Sequence, residues 1–571
     1  MKKNKRNAVI KGILAIVFVA LVIVLAVIFL RNFIMDSPAI SGLLSKGTSD
    51  VIYVQNSPLE QQVDFQVETD EMLLAELASG YYSPEEPLVI VNPYNLSPLT
   101  ALVLFQTAEP AQISVHIPGT IEQTAVDFTF DGYLTDHIIP IYGLYADTEN
   151  QVAVTIAYTG GTTEVITIPV ETEKLDSSLA DLIITTSLPQ PEAYYPGFNL
   201  CYRIGYTYKS ILALDALGCI RLQLKTASLG DTSANEQLMD YNGHFLKIFY
   251  ADETTYVFVE LDALGRIYRA VSFNMGLPHH DMLSLDGGDR LLVLCSGIDS
   301  IAMEDMIAEL DMTTGKIIRT LDLKTVLQTS RNQSPSVELD NDPFHVNTII
   351  AIDGSDDIII SSRNQNQIVR LSWPDGEIKW IAGDPTGISP MYEEYYLTPV
   401  GEDFTYFYRQ HAPMIMTDFD NDPNTIDLLV FDNGTTRGEF DDSITDEDLY
   451  SRMVHYRIDE ENMTIEQIRE YGREYGLALY SDIRGDADEL PNLNWLGTFD
   501  VSVGTSLINK APTYVEVDQN NELVWMMQIV RLQEGTDDSG IGEYRVERQS
   551  LYNDAANDLQ LGVQPLVLLK D

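Results

Sequence analysis

The chain has 571 residues, of which 45% are hydrophobic and 9% aromatic, and its 86 acidic and 35 basic side chains give a formal charge of −51. This length predicts more than one domain, and the apolar content excludes a disordered protein. The negative charge argues against nucleic acid as a partner, and against binding of an anionic membrane through the globular part, because like charges repel. An anionic substrate would therefore need locally placed cations.

The first 35 residues have the pattern of a membrane anchor. Five basic residues within the first 11 precede an uninterrupted apolar run over residues 12–30. A run of this length approaches what a helix needs to cross the hydrocarbon core, and the positive flank places the N-terminus in the cytoplasm. We therefore expect a single-pass helix in the cell membrane, with the globular part on the extracellular or periplasmic side. A cleaved signal peptide is the alternative.

A stalk and a small domain are expected next. Residues 36–87 are polar and predict a stalk or linker, with one short helix near Glu71–Ala78 that the following glycine and proline would end. Residues 88–175 change to short alternating runs separated by Pro and Gly turns. Six or seven strands in about 85 residues predict an Ig-like β-sandwich. His116 and His137, in this domain, are expected to be structural.

A repeated unit runs through the rest of the chain, from about residue 190 to residue 571. It consists of an acidic turn with Gly or Asn followed by an apolar strand. Copies occur at residues 214–220, 261–268, 310–317, 374–380 and 517–525. Repeats of short strands about 50 residues apart predict a β-propeller, here of about six blades. The fold class predicted for the globular part is thus all-β.

Three cysteines are too few for a disulfide framework. Cys201 and Cys219 are expected on neighbouring strands, and the sequence leaves open whether they pair. Cys295 lies inside an apolar strand and is expected to be a buried thiol. The sequence contains no zinc-ligand spacing, and we expect neither a metal nor a cofactor.

The stretch 344–363 predicts a tight hairpin with strands at 347–352 and 357–362, joined by an Asp-Gly turn. His345 precedes the first strand and Arg363 follows the second. The hairpin therefore places an imidazole and a guanidinium side by side at one edge of a sheet. A planar cation beside a nucleophilic imidazole suits the binding and attack of a tetrahedral oxyanion such as sulfate or phosphate.

Two more histidine sites flank this hairpin in the sequence, His279-His280 and His411. In a propeller, equivalent strand ends from all blades meet at the central channel. We therefore expect His279, His280, His345, Arg363 and His411 to share one pocket. A lone histidine at a strand end is usually structural, but three such sites together with an arginine favour a functional site.

Two other patterns are interpreted as structural. A helical insertion is expected over 464–471, because Thr464–Gln467 has the form of a capping box. The acidic run 418–422 begins like a calcium-binding loop. However, Pro423 and Leu429 stand where such a loop needs Gly and Glu, so a solvated turn is expected.

Several motifs resemble those of bacterial arylsulfate sulfotransferases, and together they extend from residue 88 to the C-terminus. They are residues 91–102, 137–145, 279–281, 344–347, 361–366, 410–411, 431–434 and 456–464. The resemblance implies a β-sandwich followed by a six-bladed propeller. It also implies transfer of a sulfuryl group from a phenolic sulfate ester to another phenol, through a transiently sulfated histidine and without a nucleotide-sulfate donor.

The resemblance also implies roles for single residues. It assigns His411 as the nucleophile. It assigns binding of the sulfuryl group to residues around it, namely His345, Arg363, Asn347 and one of His279 and His280. Spacing leaves open which of the two adjacent histidines faces the site. Alignment of Asp281 with Asn347 favours His279 as the catalytic one, with His280 in a binding role.

The chemistry fits these residue types. Neutral imidazole is a good nucleophile near its pKa of about 6.5, arginine binds two oxygens at once, and a further histidine can protonate the departing phenolate. Two other functions remain open: a non-catalytic surface propeller that binds glycan or protein, and a sulfatase-like hydrolase. The sequence also leaves open the natural donor and acceptor and whether the chain forms a homodimer.

Overall fold

The computed structural model describes nine stretches of the chain, namely residues 57–201, 210–232, 240–251, 255–297, 305–327, 342–438, 443–500, 511–531 and 542–569. The predicted membrane anchor and the first part of the predicted stalk lie outside these stretches. Within them, no helix is both long and apolar enough to span a membrane.

A 21-residue helix, α1 (Pro58–Ala78), begins the described chain. Ser57 and Glu60 form a capping box, in which each side chain accepts from the other's backbone N–H at 3.2 Å. The helix starts well before the short one expected inside the stalk. Its side chains Leu59, Leu73 and Leu77 are buried, and Gln66 Nε2 donates to Ile267 O at 2.9 Å. Residues 58–78 are therefore docked onto the body of the protein, which their polar composition did not indicate.

The predicted sandwich region contains six strands joined in one hydrogen-bonded sheet. They are β1 (Leu88–Val91), β2 (Ala101–Ile117), β3 (Val126–Thr129), β4 (Leu134–Ile141), β5 (Glu149–Tyr158) and β6 (Thr163–Glu171). The long strand β2 changes partners at an irregularity between Gln106 and Ala111. Its first half pairs with β1 and β4, and its second half with β3 and β5. One long, irregular strand thus pairs with four of the other five strands of this domain.

Six further propeller-like sheets are formed by the described residues, and they are named here in chain order. Sheet I contains β8 (Phe198–Cys201), β9 (Ile211–Leu214), β10 (Ile220–Leu224) and β33 (Val546–Gln549). Sheet II contains β11 (Asp231–Thr232), β12 (Asp240–Tyr241), β13 (His244–Tyr250), β14 (Tyr256–Leu261), β15 (Ile267–Phe273) and β34 (Leu566–Leu568). Sheet III contains β16 (Pro278–Leu285), β17 (Arg290–Cys295), β18 (Met306–Asp311) and β19 (Lys316–Asp322), and a short helix, α2 (Lys324–Leu327), follows it.

The remaining three sheets complete the set. Sheet IV contains β20 (Val346–Ala351), β21 (Asp357–Ser362), β22 (Gln367–Ser372) and β23 (Ile378–Ala382). Sheet V contains β24 (Thr398–Val400), β25 (His411–Ile415), β26 (Thr425–Asp432), β27 (Arg452–Asp459) and β28 (Thr464–Tyr471). Sheet VI contains β29 (Asp486–Glu489), β30 (Trp495–Asp500), β31 (Pro512–Val517), β32 (Leu523–Arg531) and β7 (Leu182–Ser187).

Apolar cores lie between successive sheets, as expected when apolar faces stack. Separate clusters of buried side chains join sheet II to III, III to IV, IV to V and V to VI. A further cluster joins sheet VI to sheet I, where Trp525 Nε1 donates to Ala216 O at 2.8 Å. The largest cluster runs from the sandwich into sheets I and II. The sandwich is therefore fused to the larger body through a shared core.

The two ends of the larger body are tied into its sheets. Strand β7 precedes sheet I in the chain but pairs with β32 of sheet VI. Strand β33 comes near the C-terminus but pairs with β8 of sheet I. Sheets I and VI are thus each completed by a strand from the opposite end of the domain.

The hairpin predicted around His345 and Arg363 is confirmed. Strands β20 and β21 pair antiparallel, and Gly354 in the turn has a φ of 74°, a conformation that favours glycine. Arg363 N donates to His345 O at 3.1 Å. The two residues are therefore neighbours across the hairpin, as the sequence indicated.

The helix predicted over 464–471 is wrong, because these residues form strand β28. The segment pairs antiparallel with β27 along its whole length. Ile465 is buried between sheets IV and V, and Tyr471 is buried between sheets V and VI. Glu466 and Ile468 are exposed. Cross-strand pairing thus outweighed the local capping signal.

Two minor expectations can also be compared with the structure. Cys201, Cys219 and Cys295 are all free thiols, and Cys295 is buried as expected. The acidic run 418–422 is an exposed turn in which Asp418 Oδ1 accepts from Asp420 N and Asn421 N.

Candidate active site

Strands β16, β20 and β25, of sheets III, IV and V, share one irregularity, and the predicted histidines lie at it or next to it. The pairing register shifts between Pro278 and Met282, between Val346 and Thr348, and between His411 and Met414. A positive φ occurs at or beside each shift, at His280 (54°), His345 (48°) and Ala412 (46°). Bulges and left-handed residues redirect side chains and are frequent at functional sites. The three bulges turn imidazoles out of the alternating pattern toward one region.

Hydrogen bonds between β16, β20 and β25 hold these bulges together. Asp281 Oδ2 accepts from Ile349 N at 3.0 Å, which links sheet III to sheet IV. Thr348 Oγ1 accepts from Ala412 N at 3.1 Å, which links sheet IV to sheet V. Asn347 Nδ2 donates to Gln410 O at 2.8 Å. Asn347 is therefore fixed one residue away from His411, on the neighbouring sheet.

His411 begins β25 and is 2% exposed. Its Nδ1 lies 2.7 Å from Oδ1 of Asn433. The Asn433 amide nitrogen donates to the carbonyl oxygens of Ser481 and Arg484 at 2.8 and 2.5 Å. Since an amide NH₂ supplies both of those bonds, the oxygen must face the imidazole, and Nδ1 of His411 must carry the proton. The lone pair of neutral His411 therefore resides on Nε2.

The charge on His411 is controlled by its surroundings. Burial, followed by the nearby Arg363 guanidinium and His345, holds the pKa of His411 well below its ordinary value, while the hydrogen bond to Asn433 opposes this. At neutral pH the imidazole is thus neutral. A neutral, tautomerically fixed imidazole next to a permanent cation can attack an electrophilic centre that bears anionic oxygens.

His345 has a carboxylate behind it. Its Nδ1 lies 2.5 Å from Asp342 Oδ2. A carboxylate can only accept, so Nδ1 donates and Nε2 points away from Asp342. Asn364 Nδ2 also donates to Asp342 Oδ2, at 3.2 Å, and Asn364 Oδ1 accepts from Arg363 Nη1 at 3.1 Å. Asp342 and Asn364 therefore orient the imidazole and the guanidinium together.

The adjacent histidines form a row with His345. The Nδ1 atoms of His279 and His280 are 3.0 Å apart, so one ring donates to the other. The ring of His280 lies 4.8 Å from that of His345, measured between centroids. Alignment of Asp281 with Asn347 favoured His279 as the catalytic residue of the pair, and the structure places His280 in ring contact with His345.

A tyrosine that sequence reasoning missed lies near both His280 and His411. The ring of Tyr544 is 5.8 Å from those of both His280 and His411. The next residue, Arg545, has its guanidinium 5.4 Å from the Tyr544 ring. Tyr544 lies two residues before β33, the strand that completes sheet I, and no local motif marks it. It supplies an aromatic wall next to two imidazoles.

Buried charges lie next to this wall. Arg545 Nη1 is 3.8 Å from Asp281 Oδ1, and its Nε is 4.0 Å from Asp486 Oδ2. Burial raises the pKa of Asp281, and it raises the pKa of Asp486 to about 6, while Arg545 opposes both shifts. Arg545, next to β33, therefore lies beside carboxylates of β16 in sheet III and of β29 in sheet VI.

The structure thus brings the predicted residues into one neighbourhood. His411, Arg363 and His345 interact electrostatically, and His345 and His280 are in ring contact. The residues that sequence reasoning missed are Asn433, Asp342, Tyr544 and Arg545. Asn433 lies in a motif already noted for its resemblance, and Asp342 lies three residues before His345, but neither position carried a signal of its role. In the described part of the chain, no group of three or more His, Cys, Asp or Glu residues could hold a metal ion.

Comparisons with known proteins agree on one family. Residues 185–537 match the family model described as Arylsulfotransferase (ASST), and residues 88–173 match that described as Arylsulfotransferase Ig-like domain. The Arylsulfate sulfotransferase AssT of Escherichia coli O6:H1 is 25% identical over 500 residues, covering 69% of this chain and 81% of that protein. That of Lelliottia amnigena is 24% identical over 522 residues, covering 71% and 84%.

Likeness to solved structures is weaker. TolB from Acinetobacter baumannii is 9% identical with a TM-score of 0.33, covering 66% of this chain and 76% of that one. A score this low carries no argument about the fold.

Proposed function

Because this chain belongs to the arylsulfotransferase (ASST) family, we propose that it moves a sulfuryl group from a phenolic sulfate ester to a second phenol through a covalent adduct on His411. By its family the chain is a sulfotransferase enzyme. The observation that carries the proposed route is the hydrogen bond from His411 to Asn433, which leaves Nε2 as the nucleophilic atom. A nucleotide-sulfate donor has no part in this route.

In the first half-reaction, His411 Nε2 attacks the sulfur. The N–S bond forms as the S–O bond to the aryl group breaks, and the electron pair leaves with the phenolate. The guanidinium of Arg363 binds the sulfuryl oxygens, where the dispersed negative charge of a loose transfer step is greatest. Its proximity is supported by its effect on the pKa of His411.

A proton donor is needed for the leaving phenolate, because phenol has a pKa of about 10. His345 is suited to this role, since its Nδ1 is held by Asp342 and its Nε2 points away from that carboxylate. The negative charge of Asp342 supports a proton on the ring. His280, in ring contact with His345, binds the sulfuryl group or serves in the same proton transfer. In the second half-reaction the acceptor phenol returns its proton to this group and attacks the sulfur, and the N–S bond breaks.

The test uses 4-nitrophenyl sulfate with and without phenol, and the full chain. Transfer predicts release of nitrophenol that depends on phenol. Release that is independent of phenol would indicate a sulfatase-like hydrolase, and no release would indicate a non-catalytic binding protein. A second measurement separates the routes: after incubation with donor alone, a peptide that contains His411 should carry the mass of one sulfuryl group.

We further propose that the six sheets are the blades of a closed propeller. The cores between successive sheets, and the core between sheets VI and I, support this proposal. In this arrangement residues 88–175 are the sandwich, and the catalytic domain predicted over residues 190–571 is extended at its start by β7 (Leu182–Ser187), which pairs with β32 of sheet VI. A crystal structure in which the edge strands β33, β16, β20, β25 and β29, together with the edge of sheet II formed by β11 and β12, do not surround one axis would contradict it.

We also propose that the chain is anchored in the cell membrane with its active site outside the cytoplasm. The support is the apolar run over residues 12–30 and the basic residues before it. Fractionation tests the anchor, which predicts activity in the membrane pellet and its release into the soluble fraction when residues 1–35 are removed. Protease added to spheroplasts should cleave the globular part only if it lies outside the cytoplasmic membrane.

A further inference from the structure

An open cleft of about 760 Å³ lies on sheet V, outside the histidine cluster. Its lining includes four aromatic side chains and two arginines, namely Phe404, Tyr406, Tyr408, Tyr450, Arg437 and Arg473. We call it the aryl cleft. Its volume falls in the range of small-molecule sites, roughly 300–1,000 Å³. No step of the sulfuryl transfer derived above uses it.

The aryl cleft lies at the same end of the strands of sheet V as His411. Residues 404–408 lead into β25, residues 443–450 connect β26 to β27, and residues 473–476 follow β28. In the antiparallel run β25, β26, β27 and β28, the start of the first strand, the second connection and the end of the fourth strand lie at the same end of the strands. Tyr408 is three residues before His411, so their Cα atoms are at most about 11 Å apart. Two linked aromatic rings are therefore long enough to reach from one residue to the other.

Arginines and tyrosines are stacked in the aryl cleft. The guanidinium of Arg437 lies 3.9 Å from the centroid of the Tyr450 ring, and that of Arg473 lies 5.2 Å from it. Arg437 is 7% exposed, and its Nη2 donates to Asp432 Oδ2 at 2.7 Å. Its Nε has no hydrogen-bond partner within the described stretches. Guanidinium planes and tyrosine rings are the surfaces on which another aromatic ring stacks.

The charges in the aryl cleft favour an uncharged ring. The carboxylates of Glu447 and Asp448 belong to its lining, and Asp432 pairs with Arg437. They offset the two arginine charges. Arg473 is half exposed and is held by Glu470 Oε1 at 3.5 Å. It can therefore move to lie against a ligand.

We propose that the aryl cleft binds the second ring of a phenolic substrate, so that the enzyme prefers phenols with two linked aromatic rings over phenol itself. This inference rests on the proposed sulfuryl transfer and names its substrate class. The hydroxyl or sulfate ester lies at His411, and the distal ring lies among the tyrosines and Arg473.

The test compares phenol with 4-phenylphenol as acceptor, with 4-nitrophenyl sulfate as donor. The unsubstituted enzyme should show the higher kcat/KM with 4-phenylphenol. Arg473→Ala should lower the ratio of the two kcat/KM values about two- to fivefold, which is the magnitude of an exposed cation–π contact. Tyr406→Leu should lower it about two- to tenfold, because the stacking face is lost while an apolar side chain remains. Arg473→Lys should restore only part of the ratio.

A matched control is Arg319→Ala, which removes a comparably exposed arginine from the outer strand of sheet III and should leave the ratio unchanged. The inference is overturned if the unsubstituted enzyme does not prefer 4-phenylphenol, or if Arg473→Ala and Tyr406→Leu both leave the ratio unchanged. Absence of transfer to either acceptor in the unsubstituted enzyme would instead overturn the proposed function.

Discussion

The Nδ1 atom of His411 donates to the Oδ1 atom of Asn433 across 2.7 Å. Both side chains are at most 2% exposed, so water does not compete for this bond. Asn433 is fixed in turn by Ser451, whose hydroxyl donates to Asn433 O at 2.8 Å. The proposed nucleophile is therefore oriented by a rigid amide rather than by a carboxylate, and it gains a defined tautomer without gaining charge.

Asn433→Ala should lower kcat/KM about 10- to 100-fold, the range typical of partners that orient a reacting group. The bond to Asn433 raises the pKa of His411. Its loss should therefore move the acid limb of the pH profile to lower pH while the plateau falls. A plateau that stays unchanged in the folded variant would contradict the orienting role.

The matched control for that variant is Asn150→Ala, in the sandwich. Asn150 is also buried, and its side chain bonds to Tyr145 N and Tyr145 O at 2.8 and 3.0 Å. Both variants should lose stability, since each orphans buried backbone groups at about 1–3 kcal/mol. Only the variant at Asn433 should change the pH profile.

Arg363→Gln should shift the pH profile in the opposite direction. The guanidinium lowers the pKa of His411, so its removal lets the imidazole take up a proton at higher pH, and the acid limb of kcat/KM should move upward. Transfer should also fall, because the bidentate contact to the sulfuryl oxygens is lost. Arg363→Lys should restore the position of the limb better than it restores the rate, because lysine keeps the charge but not the planar fork. An unmoved limb in the glutamine variant would show that the two groups do not interact.

Asp342→Asn should slow the enzyme most with poor leaving groups. The change removes the negative charge that supports a proton on His345 while keeping the side chain's shape. General acid catalysis contributes typically about 10²–10⁴-fold, so a loss of about 10-fold or more is expected with phenyl sulfate. With 4-nitrophenyl sulfate, whose phenolate leaves easily, the loss should be smaller. Equal losses with both donors would assign His345 to binding rather than to proton transfer.

Asp70→Ala should destabilise the fold by about 3–5 kcal/mol, because it leaves a buried guanidinium without its partner. Arg266 Nη2 lies 2.8 Å from Asp70 Oδ2, and the two side chains are 1% and 2% exposed. The exposed pair His116–Asp127 supplies the comparison. Asp127→Ala should cost below about 1 kcal/mol. Urea unfolding measures both, and similar losses would show that α1 is not clamped by its ion pair.

The sequence predicted the parts of the fold that depend on local patterns. The hairpin around Gly354 has a turn signal between two apolar runs, and both strands lie within one residue of the prediction. The strand at 464–471 was misjudged because Thr464 and Gln467 have the spacing of a helix cap. The helix α1 was underestimated although Ser57 and Glu60 form the same kind of box. The same short motif is thus misleading in one place and correct in the other, because only tertiary pairing decides between them.

The candidate site was predictable in its members but not in its geometry. His345, Arg363 and His411 stand at strand ends, and this placement is visible in the sequence. The bulge that puts His280 against His345 interrupts strand alternation, whereas His279 was preferred from the alignment of Asp281 with Asn347. Asn433 and Tyr544 come close to His411 only through the packing of whole sheets, so no spacing along the chain could have revealed them.

The placement of Tyr544 beside β33 has a consequence for folding. β33 pairs with β8 of sheet I, from which it is separated in the chain by sheets II to VI. The ring two residues before β33 lies 5.8 Å from imidazoles contributed by sheets III and V. A folding intermediate in which β33 is not yet paired would therefore hold those imidazoles without the aromatic wall or the guanidinium of Arg545.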